Sequence, residues 1–169
     1  GAGLGGVIMA YEMKDQLGRD DRLTVISQGS TYSFVPSNPW VAVGWRNRDE
    51  VEVDLTEVMG RRGIALLTQG AARVHPAKNR VELTDGDSLG YDYLVIATGP
   101  DLAFDEIPGL GPAGHTESVC QIDHALKARQ AVEALVAKPG PVVIGAVQGA
   151  SCFGPAYEFL FILEKALRK

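Results

Sequence analysis

Apolar side chains at Val7, Ile8, Tyr11 and Met13 recur at helical spacing and predict a helix packed on a sheet. The run RLTVIS that follows reads as a buried strand over 23–27. Residues 28–53 hold no sustained period and carry Pro36, Asn38, Pro39, Trp40 and Trp45, so they read as a loop. Asp54 followed by Glu57 resembles a capping box opening a short helix through Arg62. Short strands are predicted over 64–68, 71–75 and 80–84, with Asp85-Gly86-Asp87-Ser88 as a turn. The run YLVIATGP, 93–100, is continuously apolar up to its glycine and predicts a buried strand. After a connector rich in proline and glycine, Ala125, Leu126, Ala128, Val132 and Leu135 predict a helix over 122–138. PVVIG, 141–145, predicts another buried strand, and Gly154-Pro155 opens the last helix, where proline suits the first turn.

Helices alternating with buried strands make this an α/β pattern. Gly1-Ala2-Gly3-Leu4-Gly5-Gly6 leads straight into the first helix. Gly1, Gly3 and Gly6 fit G-x-G-x-x-G, in which the first glycine permits a tight turn, the second lets a pyrophosphate approach the backbone and the third allows close helix packing. The free N–H groups at the helix start, on Leu4, Gly5 and Gly6, then face the anion. No strand precedes Gly1. In a doubly wound sheet that strand is central, so the sequence reads as part of a longer protein.

The chemistry narrows from here. A chain of 169 residues with 46% hydrophobic and 22% charged residues has a globular composition. A net charge of −5 argues against nucleic acid as a partner. No apolar run approaches the roughly 20 residues needed to cross a bilayer, and no leader stands at the N-terminus, although the chain opens on Gly1 rather than methionine. The two cysteines, Cys120 and Cys152, form no CxxC pair and accompany no histidine-rich tract, which excludes a structural zinc site. They are either two unrelated thiols or one redox pair.

Two further features bear on cofactor chemistry. The residue after the second strand is usually Asp or Glu, holding a ribose, and here Ser27 and Gln28 stand in its place; both still hydrogen-bond. The second strand and glycine turn, VVIGAVQGASC, keep the outer glycines but put Val147 at the close-approach position, where its side chain would obstruct a pyrophosphate. That unit reads as a nicotinamide domain without a nicotinamide. Cys152 follows it near a helix N-terminus, where the local positive potential favours the nucleophilic thiolate, and Cys120 precedes a helix likewise. Two such thiols can take up a sulfur atom and pass two electrons to a flavin.

The strand ending in Ala97-Thr98-Gly99 resembles the second flavin-contact segment of flavoproteins with two dinucleotide-binding domains. The runs TYSFVPSNPWVAVGW, YDYLVIATGP, VCQIDHA and VVIGAVQGASCFGPAYEF together resemble sulfide:quinone oxidoreductase over essentially the whole chain. The resemblance implies a Rossmann-like FAD-binding domain over 1–105 lacking its first strand and carrying a small β excursion. A connector and helix over 106–140 and the start of a degenerate second nucleotide-binding domain over 141–169 would follow. It implies that sulfide is oxidised at cysteines and that electrons pass through FAD to a membrane quinone. Cys120 and Cys152 match two of the family's three redox cysteines; the third has no counterpart here. Glu158 matches a proposed acid/base carboxylate, or else is a helix-surface salt-bridge residue, and His124 occupies a family histidine position. Flavin contacts fall on Gly1, Gly3, Leu4, Gly5, Gly6, Ser27, Gln28, Ala71, Thr98 and Gly99, with Pro36 and Asn38 bordering the isoalloxazine ring.

The implied setting is the surface of a prokaryotic plasma membrane, reached through segments absent from this chain, with homo-oligomers compatible. Alternatives are the flavoprotein subunit of flavocytochrome c sulfide dehydrogenase, an NADH:quinone dehydrogenase of the same fold, and an inactive fragment. The first carries an extra cysteine near the loop that here runs from Tyr32 to Trp40 without one. Val147 and Cys152 count against the second.

Overall fold

In the computed structural model, residues 1–150 and 152–168 are described. They form two compact units, neither continuous in sequence: Gly1–Tyr32 with Val53–Asp101, and Ser33–Glu52 with Leu102–Lys169.

The first unit is built on helix α1 (Leu4–Gln16), which starts at the glycine turn. Gly6 and Ala10 are its buried positions, and Val7 and Tyr11 pack beside them, while Ile8 turns outward and is 54% exposed. Small residues on the inner face let the helix axis lie close to its neighbours. Those neighbours include strands β1 (Thr24–Ile26) and β4 (Ala65–Leu67), which pair in parallel with Val25 opposite Leu66. Between them run β2 (Thr31–Ser33), β3 (Glu52–Asp54) and helix α3 (Leu55–Gly60). Asp54 caps α3, its carboxylate accepting from Thr56 N–H at 2.7 Å. Glu57 does not close the expected reciprocal box but pairs with Arg61. Leu55 and Met59 drop from α3 into a core with Ala2, Ala10, Val25 and Ile64.

The antiparallel sheet of β5 (Ala71–His75), β6 (Arg80–Leu83) and β7 (Ser88–Gly90) completes this unit. Val74 stands opposite Val81, and Val81 opposite Leu89. The turn before β7 uses Gly86 at φ +93°, a left-handed conformation that glycine adopts without strain.

The second unit collects the segment expected to be an irregular loop. That segment carries short helical pieces: a 3-10 turn over Val35–Ser37, helix α2 (Asn38–Ala42) and a second 3-10 turn over Arg48–Glu50. Pro36 and Pro39 each sit in a first turn, where the missing N–H costs nothing, so residues that read as helix breakers start helices here. Helix α4 (Ile122–Ala137) lies against α2, burying Ala125 and Ala128 among Val41, Ala42 and Val51. Helix α5 (Gly154–Leu167) contributes Phe159 to the edge of that core. Strand β2 pairs with β3.

Two expected strands are absent. Residues 93–100 and 141–145 carry no strand pairing, and Tyr93, Ile96 and Val143 are 94%, 69% and 96% exposed. A strand exists only with a hydrogen-bonded neighbour, and these apolar segments find none among the described residues.

Candidate functional site

The glycine turn has the geometry its spacing implies. A Cβ on Gly1 would lie 2.9 Å from the carbonyl carbon of Ala97 and closer still to its oxygen, and a Cβ on Gly6 would strike the carbonyl of Gly1 in the same way. Around Gly3 and Gly5 nothing lies within 4 Å, so the side of the turn that an anion would approach is open. Gly3 is the N-cap of α1 and supplies no side-chain cap, which leaves the first-turn N–H groups of Leu4, Gly5 and Gly6 for an external acceptor. An oxygen-rich diphosphate fits those donors. The same turn brings Ala97 and Thr98 beside Gly1, and Gly99 follows at φ +74°.

Ser27 and Gln28 lie at the end of β1, where Ser27 N–H donates to Leu67 O at 2.8 Å and Gln28 bridges Gln69. Ser27 is half-buried and Gln28 exposed. Ala71 opens β5 and is exposed. All of these stand in the first unit with the glycine turn.

The remaining candidates stand in the second unit. Cys120 and Cys152 are free and exposed. Their settings match: Cys120 precedes Gln121, the N-cap of α4, and Cys152 precedes Phe153, the N-cap of α5, and neither cap residue offers a side-chain hydrogen bond. Each thiol therefore sits ahead of the N-terminus of a long helix, although in α5 Pro155 carries no N–H and Ala156 N–H already donates to Phe153 O at 3.1 Å. His124 is half-buried, its Nδ1 has no partner, and its ring meets that of Phe104 edge-on at 5.5 Å.

Glu158 projects from α5 into an open groove of about 450 Å³ shared with Trp40, Trp45, Phe161, Ile162 and Lys165. It forms no ion pair among the described residues. Pro36 is exposed, whereas Asn38 is wholly buried with both amide atoms unpaired. An amide so deep calls for a polar partner, such as water or a ligand, that the described residues do not provide.

Sequence reasoning did not single out Arg48. Its Nε donates to Glu52 Oε2 at 2.9 Å and its Nη1 to Asp123 Oδ1 at 2.6 Å. The carboxylates of Glu52 and then Asp123 hold the guanidinium above its ordinary pKa. The only trace in the sequence was an acidic residue in the first turn of the predicted α4.

Residues 1–151 match the pyridine nucleotide-disulphide oxidoreductase family. The chain belongs to that family. Its members include FAD-binding flavoproteins, in agreement with the open glycine turn. The sulfide-quinone reductase of Aquifex aeolicus is 40% identical over 169 residues, taking in 100% of this chain and 38% of that protein. The X-ray structure of the sulfide:quinone oxidoreductase from the same hyperthermophilic bacterium superposes with a TM-score of 0.93 at 39% identity, over 99% of this chain and 38% of that one. The mitochondrial sulfide:quinone oxidoreductase of Dictyostelium discoideum is 27% identical over 175 residues, again with 100% of this chain and 38% of its own length covered. A NAD-dependent persulfide reductase from A. fulgidus shares the fold more loosely, with a TM-score of 0.66 at 25% identity over 79% of this chain and 26% of its own. The chain thus spans 38% of the length of these curated relatives. The resemblance drawn from the Pro-Ser-Asn-Pro-Trp loop and the Cys152 segment holds at the level of the family and of its sulfide-quinone reductase members.

Proposed function

We propose that this chain belongs to a flavoprotein that oxidises sulfide at Cys120 and Cys152 and passes the electrons through FAD to a membrane quinone. The observation that carries the reading is the matched placement of the two thiols, each free, exposed and one residue ahead of an uncapped helix N-cap. Gly1, Gly3, Leu4, Gly5 and Gly6 hold the FAD diphosphate, Ser27 and Gln28 the ribose, and Ala71, Thr98 and Gly99 further parts of the nucleotide, with Pro36 and Asn38 toward the ring. FAD supplies a two-electron acceptor. The cysteines supply the sulfur nucleophiles, Glu158 handles protons, and His124 orients the segment that follows Cys120.

Val147 supports sulfide rather than NADH as the electron source. It occupies the close-approach position of the second glycine turn and is 40% exposed there. Among the described residues no helix is long and apolar enough to cross a membrane. The reading places the full-length protein at a prokaryotic plasma membrane as a peripheral protein and is compatible with homo-oligomers.

The test is anaerobic reduction of the flavin in the full-length protein. Sulfide bleaches it and NADH does not, and Cys152→Ser loses the sulfide response while retaining flavin. Rapid bleaching by NADH with sulfide inert would overturn the reading.

A further inference from the structure

Hydrosulfide, the main form of sulfide at and above neutral pH, is an anion, and the surface around the first turn of α4 is acidic. Asp123 stands in that turn and is 74% exposed at its side chain; Glu52, Asp49 and Glu50 come from the facing segment, and Glu117 from the connector before Cys120. Against these stands Arg48. Its guanidinium bridges Asp123 and Glu52, and the second oxygen of Glu52 accepts from the Ser33 hydroxyl at 2.8 Å, so the cation is held from both sides. A second arginine, Arg129 of α4, donates to Asn47 Oδ1 at 3.2 Å, tying the same segment to the helix further along. This lacing fixes the Arg48 charge at the end of α4 that Cys120 precedes.

We propose that Arg48 is a positioning and specificity residue for Cys120. It holds the first turn of α4 through Asp123, and its charge offsets the repulsion that Asp123 and Glu52 exert on an anionic sulfur species approaching the thiol. The inference rests on the reading of Cys120 as a sulfide-handling thiol. A neutral sulfur substrate would gain nothing from Arg48, so the ligand class it selects is a small anion.

The test compares two reagents that differ only in charge. In the flavin-loaded full-length protein, Cys120 is modified by iodoacetate or iodoacetamide and the product is quantified on its own peptide by mass spectrometry. In both reactions the thiolate sulfur forms a bond to carbon and iodide leaves, so changes in thiolate fraction or accessibility cancel in the ratio of rates. Arg48→Gln lowers the iodoacetate-to-iodoacetamide ratio by about two- to threefold at low salt, the size of one unit charge acting across water at several ångströms. Asp123→Asn raises the ratio by a similar factor, and Arg48→Lys leaves it near wild type. About 1 M salt, with a screening length near 3 Å, abolishes the differences.

An unchanged ratio in Arg48→Gln, a change that survives high salt, or no opposite change in Asp123→Asn would each overturn the proposal. If Arg48→Gln does not fold, Arg48→Lys and Asp123→Asn decide it. Normal sulfide turnover by Cys120→Ser would instead remove Cys120 from the reaction while leaving the charge effect measurable, so the two failures are distinguishable.

Discussion

Gly1 and Ala97 touch through their backbones: a Cβ on Gly1 would sit 2.9 Å from the Ala97 carbonyl carbon. The first glycine is therefore required by the chain's own packing, whereas Gly3, with nothing within 4 Å, is not. The three glycines of one motif divide into two jobs.

That division predicts opposite phenotypes. In the full-length flavoprotein Gly6→Ala, which drives a methyl into the Gly1 carbonyl, destabilises the fold by about 1–3 kcal/mol as overpacking does, and lowers the thermal midpoint with or without added FAD. Gly3→Ala leaves the apoprotein midpoint unchanged but weakens FAD binding at least about tenfold, or ~1.4 kcal/mol. Equal loss of apoprotein stability in the two variants would mean that the open side of the turn is not a ligand face.

Glu158→Gln keeps the size and shape of the side chain in the tryptophan-lined groove and removes its proton-carrying capacity. Sulfide-dependent turnover is expected to fall by about 10²-fold with flavin content retained, the usual scale for losing a general acid or base. Turnover within twofold of wild type would return Glu158 to a surface role.

The carboxyl of Asp54 is held below its ordinary range by the backbone N–H of Thr56, with the Thr56 hydroxyl adding to it. A lowered folded pKa means that this cap contributes fully above the unfolded pKa of an aspartate and is lost as pH falls through the folded value. Asp54→Asn, which caps without titrating, flattens the acid limb of stability below about pH 4, as followed by chemical denaturation across pH. An acid limb identical to wild type would place the acid sensitivity elsewhere.

Expressed alone, the 169-residue polypeptide is expected to self-associate and to retain FAD weakly. Tyr93, Ile96, Val143 and Phe161 expose 94%, 69%, 96% and 69% of their surface, and two apolar segments lack ladder partners. Gel filtration settles it. A monomer that unfolds cooperatively and carries stoichiometric FAD through the column would refute the expectation.

Local signals in the sequence specified the elements whose stabilising contacts are close along the chain. The spacing of Val7 and Tyr11 marks α1, although Ile8 of the same pattern faces outward, the apolar face of Ala125 and Ala128 marks α4, and Asp54 marks the start of α3, because periodicity and caps act within a turn or two of the residues that encode them. The glycine turn was legible for the same reason. Tertiary structure decided what depends on partners far away. Pro39 starts α2, whose Val41 and Ala42 pack on the apolar face of α4, a partner far along the chain. The segments 93–100 and 141–145 have the composition of strands, yet remain unpaired without neighbours. Arg48 found Asp123 across 75 residues of chain. No sequence period reports such a pair, since an ion pair is chosen by which charged groups the packed helices bring within about 4 Å, a choice made only once the core has formed.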